Sequence, residues 1–289
     1  MTKINGQTRI VGVIGDPVQH SRSPQMHNAA IVERKLDYVY VPFHVRSGEL
    51  QEAIEGFKAL NVLGVNVTIP HKQTVMSILD DVSHEATLIG AANTLIFCDG
   101  RVSGDNTDAQ GFLRAMTEEG IDIPVGGSAV VLGAGGAARA VVVALALSGL
   151  DLITIANRTE WKAIQFEKDL ATISETEISA VDLASNQLNL AIRSADLLVN
   201  TTSVGMQETD QLLIDPDFLN PGTIVYEIVY TPPETPLLRV AREKGCQTIG
   251  GIGMLVHQGA IAFEKWIGIV PNVETMRIAL KQALYQKKL

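Results

Sequence analysis

Between Val130 and Ala140 a short apolar, β-branched run feeds a glycine cluster that opens directly into an alanine-rich helix. The spacing Gly133-x-Gly135-x-x-Ala138 is the dinucleotide-binding fingerprint with alanine in the third place. Gly133 permits a tight strand-to-helix turn, Gly135 lets the backbone approach a pyrophosphate, and Ala138 lets the helix pack closely on its strand. The free N–H groups at the helix start then face the anion. Gly133, Ala134, Gly135, Gly136 and Ala137 are therefore candidate cofactor-binding residues. The helix expected over residues 136–148 is apolar almost all round, which places it inside the molecule.

The remaining chain alternates strands and helices, an α/β pattern with largely parallel strands. Arg9 to Gly15 reads as a buried first strand, and Ser23-Pro24 as a helix start with serine as N-cap and proline in the first turn. Ser21 has no such structural role, and two hydroxyls beside a helix start suit a small carboxylate. A strand over 38–45, a helix over 47–60 and a strand from Gly64 lead to Thr68-Ile69-Pro70-His71-Lys72. Ligands in such sheets bind beyond the carboxyl ends of strands, where Thr68 and Lys72 fall. Lys72 could be a solvated lysine, but a cation at a helix start opposes the dipole. Residues 90–97 and 101–104 form an expected hairpin. It leads to Asp105-Asn106-Thr107-Asp108, where Thr107 or Asp108 could cap the helix running to Glu119. A linker over 121–127 places a domain boundary between Asp105 and Gly127.

After the second strand of the dinucleotide unit, an NAD-binding chain carries Asp or Glu for the ribose 2′-hydroxyl. This chain has Asn157-Arg158-Thr159-Glu160-Trp161-Lys162 instead. Arg158 and Lys162 make a local basic pocket in a protein of net charge −9, which favours NADP. Glu160 could act as a ribose acceptor or pair with Lys162. Further units follow: a strand into the polar loop 201–206, a strand over 223–230 stopped by Pro232-Pro233, a helix over 235–244, and a short strand over 247–249. Gly250-Gly251-Ile252-Gly253 then opens a long helix carrying Gln258, and a last helix spans 272–286. The acidic balance opposes binding to nucleic acid or anionic membrane. No apolar run reaches the roughly 18 residues of a membrane span, and the N-terminus has no signal core, so a cytoplasmic protein is expected. The histidines at 20, 27, 44, 71, 84 and 257 match no metal-ligand spacing and read as core or surface residues; Cys98 and Cys246 read as incidental thiols.

Taken in order, these motifs resemble the shikimate dehydrogenase family over nearly the full chain. They are His20-Ser21-Arg22-Ser23-Pro24, Asn66 to Lys72, Gly90 to Thr94, Gly104 to Gly111, the Gly133 fingerprint, Asn157-Arg158-Thr159, and Gly250 to Leu255. The resemblance implies a two-domain α/β protein, with an N-terminal substrate domain of mostly parallel sheet and a Rossmann NADP domain. Residues 1–106, completed by C-terminal helices in 252–289, would bind substrate, and 107–251 would bind NADP. The implied reaction is reversible NADPH-dependent reduction of 3-dehydroshikimate to shikimate, in a monomer or homodimer. Lys72 and Asp108 match the catalytic pair. Ser21 and Ser23 match the carboxylate site, Thr68, Asn93 and Gln258 the ring-hydroxyl contacts, and Tyr230 a further substrate contact. Asn157, Arg158, Thr159 and Lys162 match the 2′-phosphate end, and Ile228 and Gly251 the nicotinamide end. Glu227 stands where the resemblance expects Asp, and Lys162 replaces the more usual arginine. The rival readings are an NAD-dependent quinate/shikimate dehydrogenase and a catalytically idle binding protein.

Overall fold

The computed structural model describes residues 4–170, 174–207 and 209–285. The expectations for residues 1–3 and for the end of the last helix at 286–289 fall outside these. Contacts divide the chain into two compact units: one runs to Gly111 and resumes at Leu255, the other is Phe112–Met254.

In the first unit, β1 (Arg9–Gly15), α1 (Ser23–Glu33), β2 (Tyr38–His44), α2 (Leu50–Ala59) and β3 (Gly64–Val67) are followed by the short α3 (His71–Thr74). Then come β4 (Asp81–Val82), α4 (His84–Ile89), the hairpin β5 (Thr94–Cys98) and β6 (Arg101–Asp105), and the start of α5 (Asp108–Glu118). The six strands lie in the order β2-β1-β3-β5-β6-β4. Neighbouring strands are parallel except where β5 meets β3 and β6, so β5 alone is reversed. Burial explains the continuous apolar runs: Val11, Val13, Ile14, Val65 and Val67 are all inside, because helices cover such sheets. Val65, Val67, Leu95 and Val102 pack with Ile54 and Phe57 of α2 into one core.

The second unit contains β7 (Ser128–Leu132), α6 (Gly136–Leu147), β8 (Leu152–Asn157), α7 (Glu160–Leu170), β9 (Glu177–Asp182), α8 (Asn186–Ser194) and β10 (Leu197–Asn200). It continues through β11 (Ile224–Glu227), α9 (Pro236–Glu243) and β12 (Gln247–Ile249). All six strands are parallel, in the order β12-β11-β10-β7-β8-β9. Numbered within the unit this is 3-2-1-4-5-6, the Rossmann order. Residues Ala140 to Ala146 of α6 are buried as expected. The chain then forms α10 (Ile252–Ile267) and α11 (Val273–Tyr285). No helix among the described residues is long and apolar enough to cross a membrane.

Three local expectations are corrected. The helix expected from Ser47 begins at Leu50. The strand expected to reach Tyr230 ends at Glu227, whose side chain turns back to accept the Val229 N–H at 2.9 Å and so competes with ladder pairing. Ser23 is not the N-cap of α1: Arg22 holds that position without a side-chain cap, and Ser21 Oγ accepts the Ser23 N–H at 3.3 Å.

Candidate active site

Sheet direction brings the candidate substrate residues of the first unit together. β1 and β3 are parallel neighbours separated from each other by no strand, while β2 lies on the far side of β1. The loops leaving β1 and β3 therefore start on either side of a switch in strand order, where a crevice opens at the carboxyl ends. Ser21 lies on the first of these loops, Ser23 opens the helix that follows it, and Thr68 lies on the second loop, where its N–H donates to Ile14 O at 2.9 Å. Because β5 is reversed, its amino end, not its carboxyl end, reaches the same edge. Asn93 precedes β5 there, and β6 returns to that edge to deliver Asp108.

Lys72 Nζ donates to Asp108 Oδ2 at 2.5 Å, with the two side chains 15% and 6% exposed. The second carboxylate oxygen accepts from Asn93 Nδ2 at 2.8 Å. Asn93 is itself oriented by the Thr107 N–H, which donates to its Oδ1 at 2.8 Å. Gln258 Oε1 approaches Asn93 Nδ2 at 3.4 Å, and Gln258 Nε2 donates to Leu255 O at 2.9 Å. A buried ion pair is tolerated only when its remaining lone pairs are satisfied, and Asn93 does that for Asp108. The start of α5 is capped by neither Thr107 nor Asp108. Asn106 Oδ1 accepts the Asp108 N–H at 2.9 Å, which leaves the Asp108 carboxylate free for Lys72. Asn106 is held in turn by donating to Ala91 O at 2.8 Å. Upstream, Ser83 caps α4 and Gly90 ends it, and the Ala92 N–H donates to Lys72 O at 2.8 Å. Helix termini thus place both ends of the pair.

In the second unit Gly133 has φ +110°, a conformation that L side chains rarely adopt. A Cβ there would also lie 2.7 Å from Thr201 Oγ1 and 3.1 Å from Thr202. β7 and β10 are adjacent at the strand-order switch, so the 201–206 loop faces the glycine turn. A Cβ on the exposed Gly135 would meet nothing within 4 Å. Open space there, in front of the amino end of α6, fits a bound pyrophosphate. Ala134, Gly136 and Ala137 border it half-buried. At the end of β8, Asn157 Nδ2 donates to Thr159 O at 2.9 Å. Arg158 and Lys162 are exposed, and neither forms an ion pair among the described residues. Glu160 does not pair with Lys162: residues two apart on a helix point to different sides. The Lys162 ammonium instead lies 5.8 Å from the centre of the Trp161 ring. Ile228 and Gly251 meet, since a Cβ on Gly251 would lie 2.2 Å from Ile228 O. Tyr230 is half-buried in this same unit and is not part of the Lys72 cluster's unit.

Family models match three stretches of the chain. Residues 13–95 match the shikimate dehydrogenase substrate binding domain, 125–209 match shikimate/quinate 5-dehydrogenase, and 251–281 match the shikimate 5′-dehydrogenase C-terminal domain. The shikimate dehydrogenase (NADP+) of Desulforamulus reducens is 44% identical over 283 residues, covering 96% of each chain. The chain belongs to the shikimate dehydrogenase family. A crystallised shikimate dehydrogenase in complex with NADP+ matches it with a TM-score of 0.90 at 39% identity, covering 99% of both chains. The Thermus thermophilus shikimate 5-dehydrogenase in complex with NADP(H) and shikimate matches with a TM-score of 0.85 at 36% identity, covering 96% of this chain and 100% of its own. For this shikimate dehydrogenase family member, sequence reasoning missed Asn106 as the cap that frees Asp108. It also left Thr201 and Thr202 as an unassigned polar loop, although their position at a strand end was the available signal.

Proposed function

We propose that this family member catalyses reversible NADPH-dependent reduction of 3-dehydroshikimate to shikimate, with Lys72 and Asp108 as the proton-transfer pair. The observation that carries this reading is the largely buried Lys72–Asp108 pair, its second carboxylate oxygen held by Asn93. Residues 1–106, completed by 252–289, are assigned to substrate and 107–251 to NADP. Ser21 and Ser23 hold the substrate carboxylate: neither of them is the N-cap of α1. Thr68, Asn93 and Gln258 contact the ring hydroxyls, and Tyr230 is a further substrate contact. The Gly133 to Ala137 turn binds pyrophosphate, and Asn157, Arg158, Thr159 and Lys162 the 2′-phosphate end. Ile228 and Gly251 border the nicotinamide. The working form is a cytoplasmic monomer or homodimer, with no nucleic-acid or membrane partner.

The bound cofactor supplies or accepts a hydride. Lys72 places a cation where negative charge develops on the ketone oxygen and donates the proton that completes the hydroxyl. Asp108 fixes the ammonium in that position and, in the reverse direction, stabilises it as it receives the hydroxyl proton. Serine and amide contacts hold the ring in one orientation, which lowers the entropy lost on the way to the transition state.

Absorbance at the NADPH band tests the assignment with shikimate or quinate, each offered NADP+ or NAD+. Reduction confined to shikimate with NADP+ is the expected result. Quinate turnover with NAD+ would replace it with the second reading, in which Glu160 accepts from a ribose hydroxyl. The phosphate grip has its own test. Charge-assisted hydrogen bonds contribute about 1.5–3 kcal/mol, so Arg158→Ala should raise the KM for NADP+ by about tenfold to a hundredfold and leave that for NAD+ nearly unchanged. Trp161 is 65% exposed beside Arg158, whereas Trp266, the only other tryptophan, is buried. NADP+ should therefore quench emission that disappears in Trp161→Phe.

A further inference from the structure

Glu227, the last residue of β11, is fully buried and lies where the family resemblance leads one to expect the shorter Asp. Its carboxylate accepts from three separate segments. Asn200 Nδ2, at the end of β10, donates to both oxygens at 3.0 Å. The Val229 N–H donates at 2.9 Å and the Thr235 hydroxyl at 3.2 Å. Thr235 is also the N-cap of α9, so the same contact ties that helix start to the strand end. Asn200 passes the constraint on: its Nδ2 donates to Val204 O, and its Oδ1 accepts from the Thr202 N–H and hydroxyl. Thr202 abuts Gly133 together with its neighbour Thr201.

No lysine, arginine or histidine pairs with Glu227 among the described residues. The charged groups on the neighbouring segments are Asp210, which accepts from the Gly205 and Gln207 N–H groups, and Glu234, which is paired with Arg242. A buried carboxyl without a cation is costly, and packing alone does not require one. Its three-way bonding indicates what it is for. The chain between the Glu227 carboxylate and Thr235 carries Ile228 and Tyr230, and Gly251 is pressed against Ile228 O.

We infer that Glu227 is a positioning residue, whose carboxylate ties the ends of β10, β11 and the start of α9 together so that Ile228 is presented to the nicotinamide end and Tyr230 to the substrate in one geometry. This rests on the dehydrogenase reading given above. Burial raises the Glu227 carboxyl to about 7, partly offset by the bonds from Asn200, Val229 and Thr235, so its proton is exchanged in the neutral range. The tie therefore strengthens as pH rises and the carboxylate forms, because all three partners are donors.

Glu227→Gln tests it, since an amide matches the volume but must turn an NH2 toward at least one donor. Misplacing the reacting end of a site costs up to about a hundredfold, so kcat should fall about tenfold or more. The KM for NADP+ should stay within about twofold, because the Arg158 end is untouched. The neutral-range step in the pH profile of kcat should vanish, and Glu227→Asp, which keeps the carboxylate, should recover most of kcat. Amide-exchange protection at Val229 needs no turnover and should drop about tenfold in Glu227→Gln, as expected when a hydrogen bond of about 1.4 kcal/mol is lost. A Gln variant with wild-type kcat and pH profile, or with unchanged Val229 protection, would overturn the inference. So would Gln and Asp variants that lose kcat and thermal midpoint equally, since that is the signature of a structural role alone. If the unaltered enzyme reduces neither cofactor, the dehydrogenase reading fails, and Val229 protection still decides whether Glu227 makes the tie.

Discussion

Lys72→Ala should lose about a hundredfold to ten-thousandfold in kcat, the range spanned by positioned acid–base groups. Cofactor affinity should change little, because every candidate cofactor residue belongs to the other compact unit. The variant leaves the Asp108 carboxylate with Asn93 as donor, so a fold in which the site remains assembled is expected. Asp108→Ala removes the anion and leaves a largely buried lysine unpaired, a change that costs about 3–5 kcal/mol where it has been measured. Lys72→Ala in turn leaves the still more buried Asp108 without its cation, so both variants should lose stability as well as turnover. Steady-state kinetics and urea midpoints on both distinguish a proton-transfer pair from a structural ion pair. Full activity in Lys72→Ala would sink the assignment.

Stability in the first unit should rise between pH 3 and pH 6.5, at about 1.4 kcal/mol per pH unit, because of one histidine. His27 on α1 has no exposed surface, lies parallel to the Tyr40 ring at 4.2 Å, and is flanked by Phe263 and Trp266. Neither ring nitrogen has a hydrogen-bond partner among the described residues. Burial lowers its pKa from 6.5 to about 3. Over that interval the unfolded chain binds the proton and the folded chain does not, so acid favours unfolding and the contribution is lost as pH falls. A domain's whole stability is about 5–15 kcal/mol, so two pH units from this source are a substantial fraction. His27→Phe keeps the stacked ring and removes the proton site. Its unfolding free energy should be flatter with pH by that slope between pH 4.5 and 6.5, whatever its absolute value. Parallel curves for the two proteins would show that His27 is not the source.

Much of the fold was readable because its signals are local. The Gly133 turn was legible since only glycine tolerates φ +110° there, and α6 since its apolar residues run all round the helix. The β5–β6 hairpin announced itself by Asp99-Gly100 between two apolar segments. Ser23 shows where such reasoning fails. Serine before proline matches the usual helix cap, but the cap geometry depends on Ser21 folding back, and that is a property of the loop. Similarly, Glu227 looked like an interruption of a local pattern, whereas its role depends on Asn200 and Thr235.

By itself the sequence determined that the chain is α/β and that its second half is built for a dinucleotide. These follow from backbone sterics, side-chain period and residue type, which act over a few neighbours. Only the tertiary structure decided that Lys72 meets Asp108 at 2.5 Å and that Asn93 occupies the second carboxylate oxygen. It also decided that His27 is sealed among aromatic rings and that Glu227 joins three segments. Residues 36 positions apart become partners only once a reversed strand sends the chain back to the same edge of the sheet. Strand order and direction are set by packing of the whole unit, and no short window of sequence contains them.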